Sequence, residues 1–86
     1  MKILVADDDR VLADLIIFTV RRAGYEAVLA SDVASTLRHW KEAQPGLVLL
    51  DVNLPGTSTL RDGFVLCQHI RKEAIVPIIL LTVRGE

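Results

Sequence analysis

No apolar run in this 86-residue chain approaches the roughly 20 residues that a membrane-spanning helix needs. Its unbroken apolar runs reach only four residues, Ile78–Leu81 among them, and the stretch Val11–Val20 is interrupted by Asp14 and Thr19. The N-terminus passes from Met1-Lys2 straight into Ile3-Leu4-Val5-Ala6, with neither an apolar signal core of adequate length nor a small-residue cleavage site. A single cysteine, Cys67, excludes an internal disulfide and a cysteine metal cluster, and fits a reducing compartment. The expected location is therefore cytoplasmic. Charge of one sign is also missing: ten Lys+Arg against eleven Asp+Glu give a net charge of −1, which offers no basic patch for nucleic acid. Internal repeats and low-complexity segments are absent. A chain of this size buries only about 60–65% of the surface its unfolded form exposes, so one small domain over residues 1–86 is expected, with a compact core.

What the sequence does contain is acid placed at the ends of apolar runs. Asp7, Asp8, Asp9 and Asp51 all stand there, and setting those four aside leaves seven acids against ten bases. Lys2–Ala6 reads as a buried strand ending at the three aspartates. From Val11 to Ala23 the period changes: Leu12, Leu15, Ile16, Thr19 and Ala23 recur at helical spacing, Asp9 is placed to cap the helix and Gly24 to stop it. Tyr25–Ala30 reads as a second strand. Ser31 or Asp32 opens a second helix carrying Val33, Leu37 and Trp40, which ends before Pro45-Gly46. Leu47–Leu50 is a wholly apolar third strand, as expected for a strand of a parallel sheet, and it stops at Asp51. After a loop through Leu54-Pro55-Gly56, Asp62 is positioned to cap a third helix over Gly63–Ala74, with Phe64, Leu66, Cys67 and Ile70 toward the core. Pro77–Thr82 is a fourth strand.

Strands alternating with helices in this way imply a parallel α/β sheet with right-handed crossovers and helices on both faces. In such sheets functional groups gather beyond the carboxyl ends of the strands, where strand order reverses. Asp7 and Asp8 end strand one, Asp51 ends strand three and Thr82 ends strand four. If those strands are neighbours, all four residues meet at one edge. Carboxylates brought together raise one another's pKa unless a cation shares the site. Mg2+ suits such a site, because it takes hard oxygen ligands and commonly combines one or two carboxylates with phosphate oxygens. Asp51 is then available as a nucleophile toward phosphorus, forming an acyl phosphate, with the Thr82 hydroxyl placed to hydrogen-bond a phosphoryl oxygen.

Four segments, in order along the chain, resemble the receiver domain of bacterial two-component response regulators: Lys2-Ile3-Leu4-Val5-Ala6-Asp7-Asp8-Asp9, Leu47-Val48-Leu49-Leu50-Asp51-Val52-Asn53-Leu54-Pro55-Gly56, Asp62-Gly63-Phe64, and Pro77-Ile78-Ile79-Leu80-Leu81-Thr82. The resemblance implies a flavodoxin-like fold, in strand order 2-1-3-4 for the part present. It implies that Asp51 is the phosphoacceptor, that Asp8 ligates Mg2+ directly and Asp7 through water, that Asn53 lends its backbone carbonyl, and that Thr82 senses the phosphoryl group. It also implies a histidine kinase as phosphodonor, and a regulatory phosphoacceptor rather than a turnover enzyme. A phosphatase working through an aspartyl phosphate, as haloacid-dehalogenase-like enzymes do, needs a second acid two residues after the nucleophile, and position 53 is Asn.

Two departures from that pattern carry expectations of their own. The family's fourth helix, fifth strand and fifth helix are not found here, nor is the lysine that follows strand five, since Lys2, Lys41 and Lys72 match other parts of the fold. The fourth strand should then present an apolar edge, a template for a homo-oligomer. The alternative function is a receiver fragment that takes no phosphoryl group and acts only by self-association or partner binding. The second departure is Thr57-Ser58-Thr59-Leu60-Arg61, an insertion between Pro55-Gly56 and Asp62-Gly63. DNA-binding output, common among the relatives, is not expected from this chain itself.

Overall fold

The computed structural model describes residues 1–52, 54–55 and 63–81. β1 (Lys2–Ala6) has four of its five residues buried, because it lies in the interior of a four-stranded parallel sheet of order β2-β1-β3-β4. β2 (Glu26–Ala30) flanks it on one side, pairing Lys2 with Glu26 and Ala6 with Ala30. β3 (Leu47–Asp51) flanks it on the other, pairing Ile3 with Leu47 and Ala6 with Leu50. β4 (Ile78–Leu81) extends the sheet from β3, with Asp51 opposite Leu81. The expected α/β architecture and strand order are thus observed.

Topology dictates the layering. The chain steps from β1 to β2 in one direction and then from β2 back across to β3 and on to β4 in the other. Right-handed crossovers therefore place α1 (Arg10–Arg22) on one face and α2 (Val33–Ala43) and α3 (Gly63–Glu73) on the opposite one. The larger core lies under α2 and α3: Leu4, Ala6, Val48 and Leu50 from the sheet pack with Val33 and Trp40 of α2 and Leu66, Cys67 and Ile70 of α3. Each fully buried leucine contributes about 1.5–3 kcal/mol there. The α1 face is thinner. Ile3, Val5 and Val20 are buried, while Leu47 and Leu49 are only partly covered. Hence β3, wholly apolar up to Asp51, is shielded unequally, with Val48 and Leu50 fully buried on one face and Leu47 and Leu49 half-buried on the other.

Helix ends follow the signals in the chain. The Asp9 carboxylate accepts from the Leu12 amide at 3.2 Å and caps α1. Beyond the C-cap Ala23, Gly24 has φ +96°, and the Gly24 and Tyr25 amides donate back to the carbonyls of Arg21 and Val20. That pair of bonds is a Schellman closure, which favours a residue without Cβ at the left-handed position. The buried stripe of α1 differs from the spacing that announced it. Ala13, Ile16, Ile17 and Val20 turn inward and Leu12 is half-buried, whereas Leu15, Thr19 and Ala23 are exposed. Several apolar residues share α1, and only packing on the sheet selects which stripe is covered. The second strand starts at Glu26 rather than Tyr25, and α3 ends at Glu73. The expected cap Asp62, the side chain of Phe64 and the insertion 57–61 lie outside the described residues. Among the described residues no helix is long and apolar enough to cross a membrane.

Candidate functional site: an acidic pocket at the strand-order switch

Strand order reverses at β1, whose two neighbours are reached by crossovers running in opposite directions. The carboxyl ends of β1 and β3 therefore border a crevice that no crossover covers. Three carboxylates occupy it. Asp7 and Asp8 directly follow β1 and Asp51 is the last residue of β3, and one carboxylate oxygen from each lies within 4.8 Å of the other two. Asp7 and Asp51 are buried, at 3% and 2% exposure, while Asp8 faces solvent. Asp7 is held by backbone on both sides. The Asp7 amide donates to the Ala30 carbonyl at 3.0 Å, and the Asp7 carboxylate accepts from the Asp9 amide at 2.9 Å, an Asx-turn that aims the side chain. Asp9 is set apart from the cluster by its own work as the α1 cap.

Burial pushes the Asp7 carboxyl above the usual carboxylate range. The hydrogen bond from Asp9 pulls it back in part, and the charge of Asp51, a shared side-chain hydrogen bond with it, and the charge of Asp8 raise it again. A site that holds such repulsion has the donor set a hard divalent cation takes: several carboxylate oxygens, two of them shielded and one open to solvent. The triad is therefore capable of binding a metal.

Of the residues singled out from sequence, Asp7, Asp8 and Asp51 are brought together by the fold, and Asn53 and Thr82 lie outside the described residues. Cys67 is a buried thiol among apolar neighbours in the core. His39 and His69 are half-buried, and His69 directs Nε2 to the Glu73 carboxylate at 3.3 Å within α3. Sequence reasoning did not anticipate the anchoring of the segment after Asp51. Leu54 is buried in the larger core and the Pro55 carbonyl accepts from the Val33 amide at 2.8 Å. The available signal was Leu54, a bulky apolar residue between Asn53 and the turn-forming Pro55-Gly56.

Solved structures share this arrangement of chain. The N-terminal receiver domain of RstA from Klebsiella pneumoniae, in its BeF3-activated form, is 30% identical and superposes with a TM-score of 0.89, covering 100% of this chain and 70% of that one. NtrX from Brucella abortus is 32% identical at a TM-score of 0.87, covering 98% of this chain but only 18% of its own length. A chemotaxis protein of Vibrio cholerae is 27% identical at a TM-score of 0.84, covering 99% of this chain and 70% of that one. The family model described as "Response regulator receiver domain" matches residues 3–86. Receiver domains are normally regulatory phosphoacceptors in signal transduction and generally pair with histidine kinases, and their acidic cluster is the feature just described. With the match running from β1 through β4 and the carboxylates at its switch point, this chain belongs to the response regulator receiver domains.

Proposed function

We propose that residues 1–86 form a single receiver unit in which Asp51 accepts a phosphoryl group from a histidine kinase. The observation that carries this reading is the place of Asp51, buried at the end of β3 with oxygens of Asp7 and Asp8 within 4.8 Å. A carboxylate oxygen of Asp51 attacks phosphorus, the bond from phosphorus to the kinase imidazole nitrogen breaks, and its electron pair returns to that nitrogen, leaving an acyl phosphate on Asp51. Mg2+, when bound, supplies neutralising charge to the transferring group. Asp8 would hold the ion directly, Asp7 through water, and Asp51 and the Asn53 backbone carbonyl would complete the protein ligands. The Thr82 hydroxyl would hydrogen-bond the transferred group. The role is regulatory: Asn53, two residues beyond Asp51, supplies no acid for turnover.

Intact-protein mass after incubation with a small phosphodonor tests this, with and without Mg2+ and beside Asp51→Asn. The expected result is a gain of one phosphoryl group that requires Mg2+ and disappears in the variant. No gain in a folded sample would leave the other reading, a receiver fragment acting only through binding. We further propose that the 86-residue chain associates with a second copy through the outer edge of β4, where Ile79 is 51% and Leu80 38% exposed.

A further inference from the structure

The segment leaving β3 is held at three points. It begins at Asp51; Leu54, 2% exposed, is embedded in the core between the sheet, α2 and α3; and the Pro55 carbonyl accepts a 2.8 Å hydrogen bond from the Val33 amide. Val33 is the first residue of α2, following the cap Asp32. Its amide is one of the donors that a helix cannot satisfy from within. The Asp32 carboxylate is committed to the Ser35 amide at 2.7 Å, so the Val33 donor is closed by a carbonyl from another strand's loop. The Val33 side chain is fully buried, which fixes the same residue from the inside.

The other half of the acidic pocket reaches the same turn. The Asp7 amide donates to the Ala30 carbonyl, and Ala30 is the last residue of β2, two positions before Asp32. Both buried carboxylates are thus tied to the β2–α2 turn, Asp7 through Ala30 and Asp51 through Leu54 and Pro55. We propose that the Val33 amide is a positioning group for the pocket: it holds the segment after Asp51 in the conformation that receives a divalent cation, and an occupied pocket in return tightens the first turn of α2. This rests on the reading of Asp7, Asp8 and Asp51 as a cation site. Val33 touches neither the ion nor the reacting atoms, so its effect is a coupling, and coupling between two sites is reciprocal.

Two substitutions separate the donor from the side chain. Val33→Pro removes the N–H at the helix position that proline favours, and the preceding Asp32, at φ −148° and ψ 175°, has the extended backbone a following proline requires. Val33→Ala shortens the side chain and keeps the donor. Mg2+ alone is titrated into each chain and followed by the NMR shifts of the Asp7 and Asp51 amides. Val33→Pro is expected to weaken Mg2+ binding by about fivefold or more, the lower end of coupling between linked sites. Val33→Ala stays within about twofold of the original chain, as an uncoupled change does. In the unsubstituted chain, saturating Mg2+ should slow hydrogen exchange of the Val33 amide by a larger factor than that of Leu4 in the sheet centre, a measurement that decides the matter even if Val33→Pro does not fold. Equal Mg2+ affinity in the two variants, or Val33 exchange that merely follows Leu4, overturns the coupling and leaves the cation site standing. Absence of Mg2+-dependent shifts at Asp7 and Asp51 in the unsubstituted chain overturns the cation site and the coupling with it.

Discussion

Asp7 and Asp32 are both aspartates beside the end of a strand, and their carboxyls are driven in opposite directions. Burial beside Asp51 and Asp8 raises Asp7. For Asp7 the charged form is the one the fold disfavours, so in metal-free solution the penalty is complete above the raised pKa. As pH falls through that value toward the usual carboxylate range, folded Asp7 binds its proton before the unfolded chain does, and the penalty disappears. Asp7→Asn keeps an oxygen for the Asp9 amide and removes the charge. We expect it to melt at a higher temperature than the original chain at neutral pH with a chelator present, and the advantage to shrink on acidification. Thermal unfolding followed by circular dichroism across that pH range checks this, and a lower melting temperature for Asp7→Asn at neutral pH would contradict it. That these acids matter was legible from their placement after apolar runs. That Asp7 and Asp51 are the shielded pair and Asp8 the open one was not, because shielding depends on what α1 and the 51–55 segment cover.

Helix ends were the most legible elements, since a cap is a local contract between neighbours in sequence. Asp9, Gly24 and Asp32 all act where their spacing placed them. At α2 the Ser35 hydroxyl first and the Ser35 amide second, with the charge of Arg38, hold the Asp32 carboxyl below the usual range, and Ser35 returns the bond to the Asp32 amide. Because the folded pKa is depressed, this stabilisation is present above the unfolded value and is lost as pH falls through the folded one. Asp32→Ala is expected to cost about 1 kcal/mol at neutral pH, the ordinary worth of such a cap. The gap between variant and original should narrow in acid, measured by urea unfolding at the two pH values. A gap independent of pH would show that the carboxylate charge plays no part. The C-terminus of α2 was less legible, since Gln44 takes the left-handed position at φ 49° that glycine usually fills, ahead of Pro45-Gly46. The Gly46 amide bonds to the Lys2 carbonyl, and a Cβ on Gly46 would meet the Met1 side chain at 2.7 Å. Docking of this turn on β1 therefore sets its backbone.

Across the whole molecule, the sheet has β1 and β3 as interior strands and β2 and β4 at its two edges. β4 pairs with β3 along one edge, and its other edge meets no further strand among the described residues. Register puts Ile79 on the thinly covered face with Leu49, and Leu80 on the opposite face with Leu50. No charged residue interrupts Pro77–Leu81, the usual protection of an edge strand. Light scattering on the 86-residue chain is expected to give a mass above 9.5 kDa that rises with concentration. Ile79→Lys, a charge placed on that edge, should return the chain to the mass of one copy. A single-copy mass for the original chain at every concentration would remove the self-association proposal and leave the acidic pocket untouched.

The sequence by itself determined the alternation of strands and helices, the acids at the strand ends, the caps and the resemblance to receivers, because each is written in short-range spacing or in motifs met in order. Only the tertiary structure decided which stripe of α1 is buried, which carboxylates are shielded, and that the loop after Asp51 closes on the first amide of α2. Those outcomes depend on residues far apart in the chain meeting across the sheet, where burial and hydrogen bonding are set by the partner that arrives rather than by the neighbour in sequence.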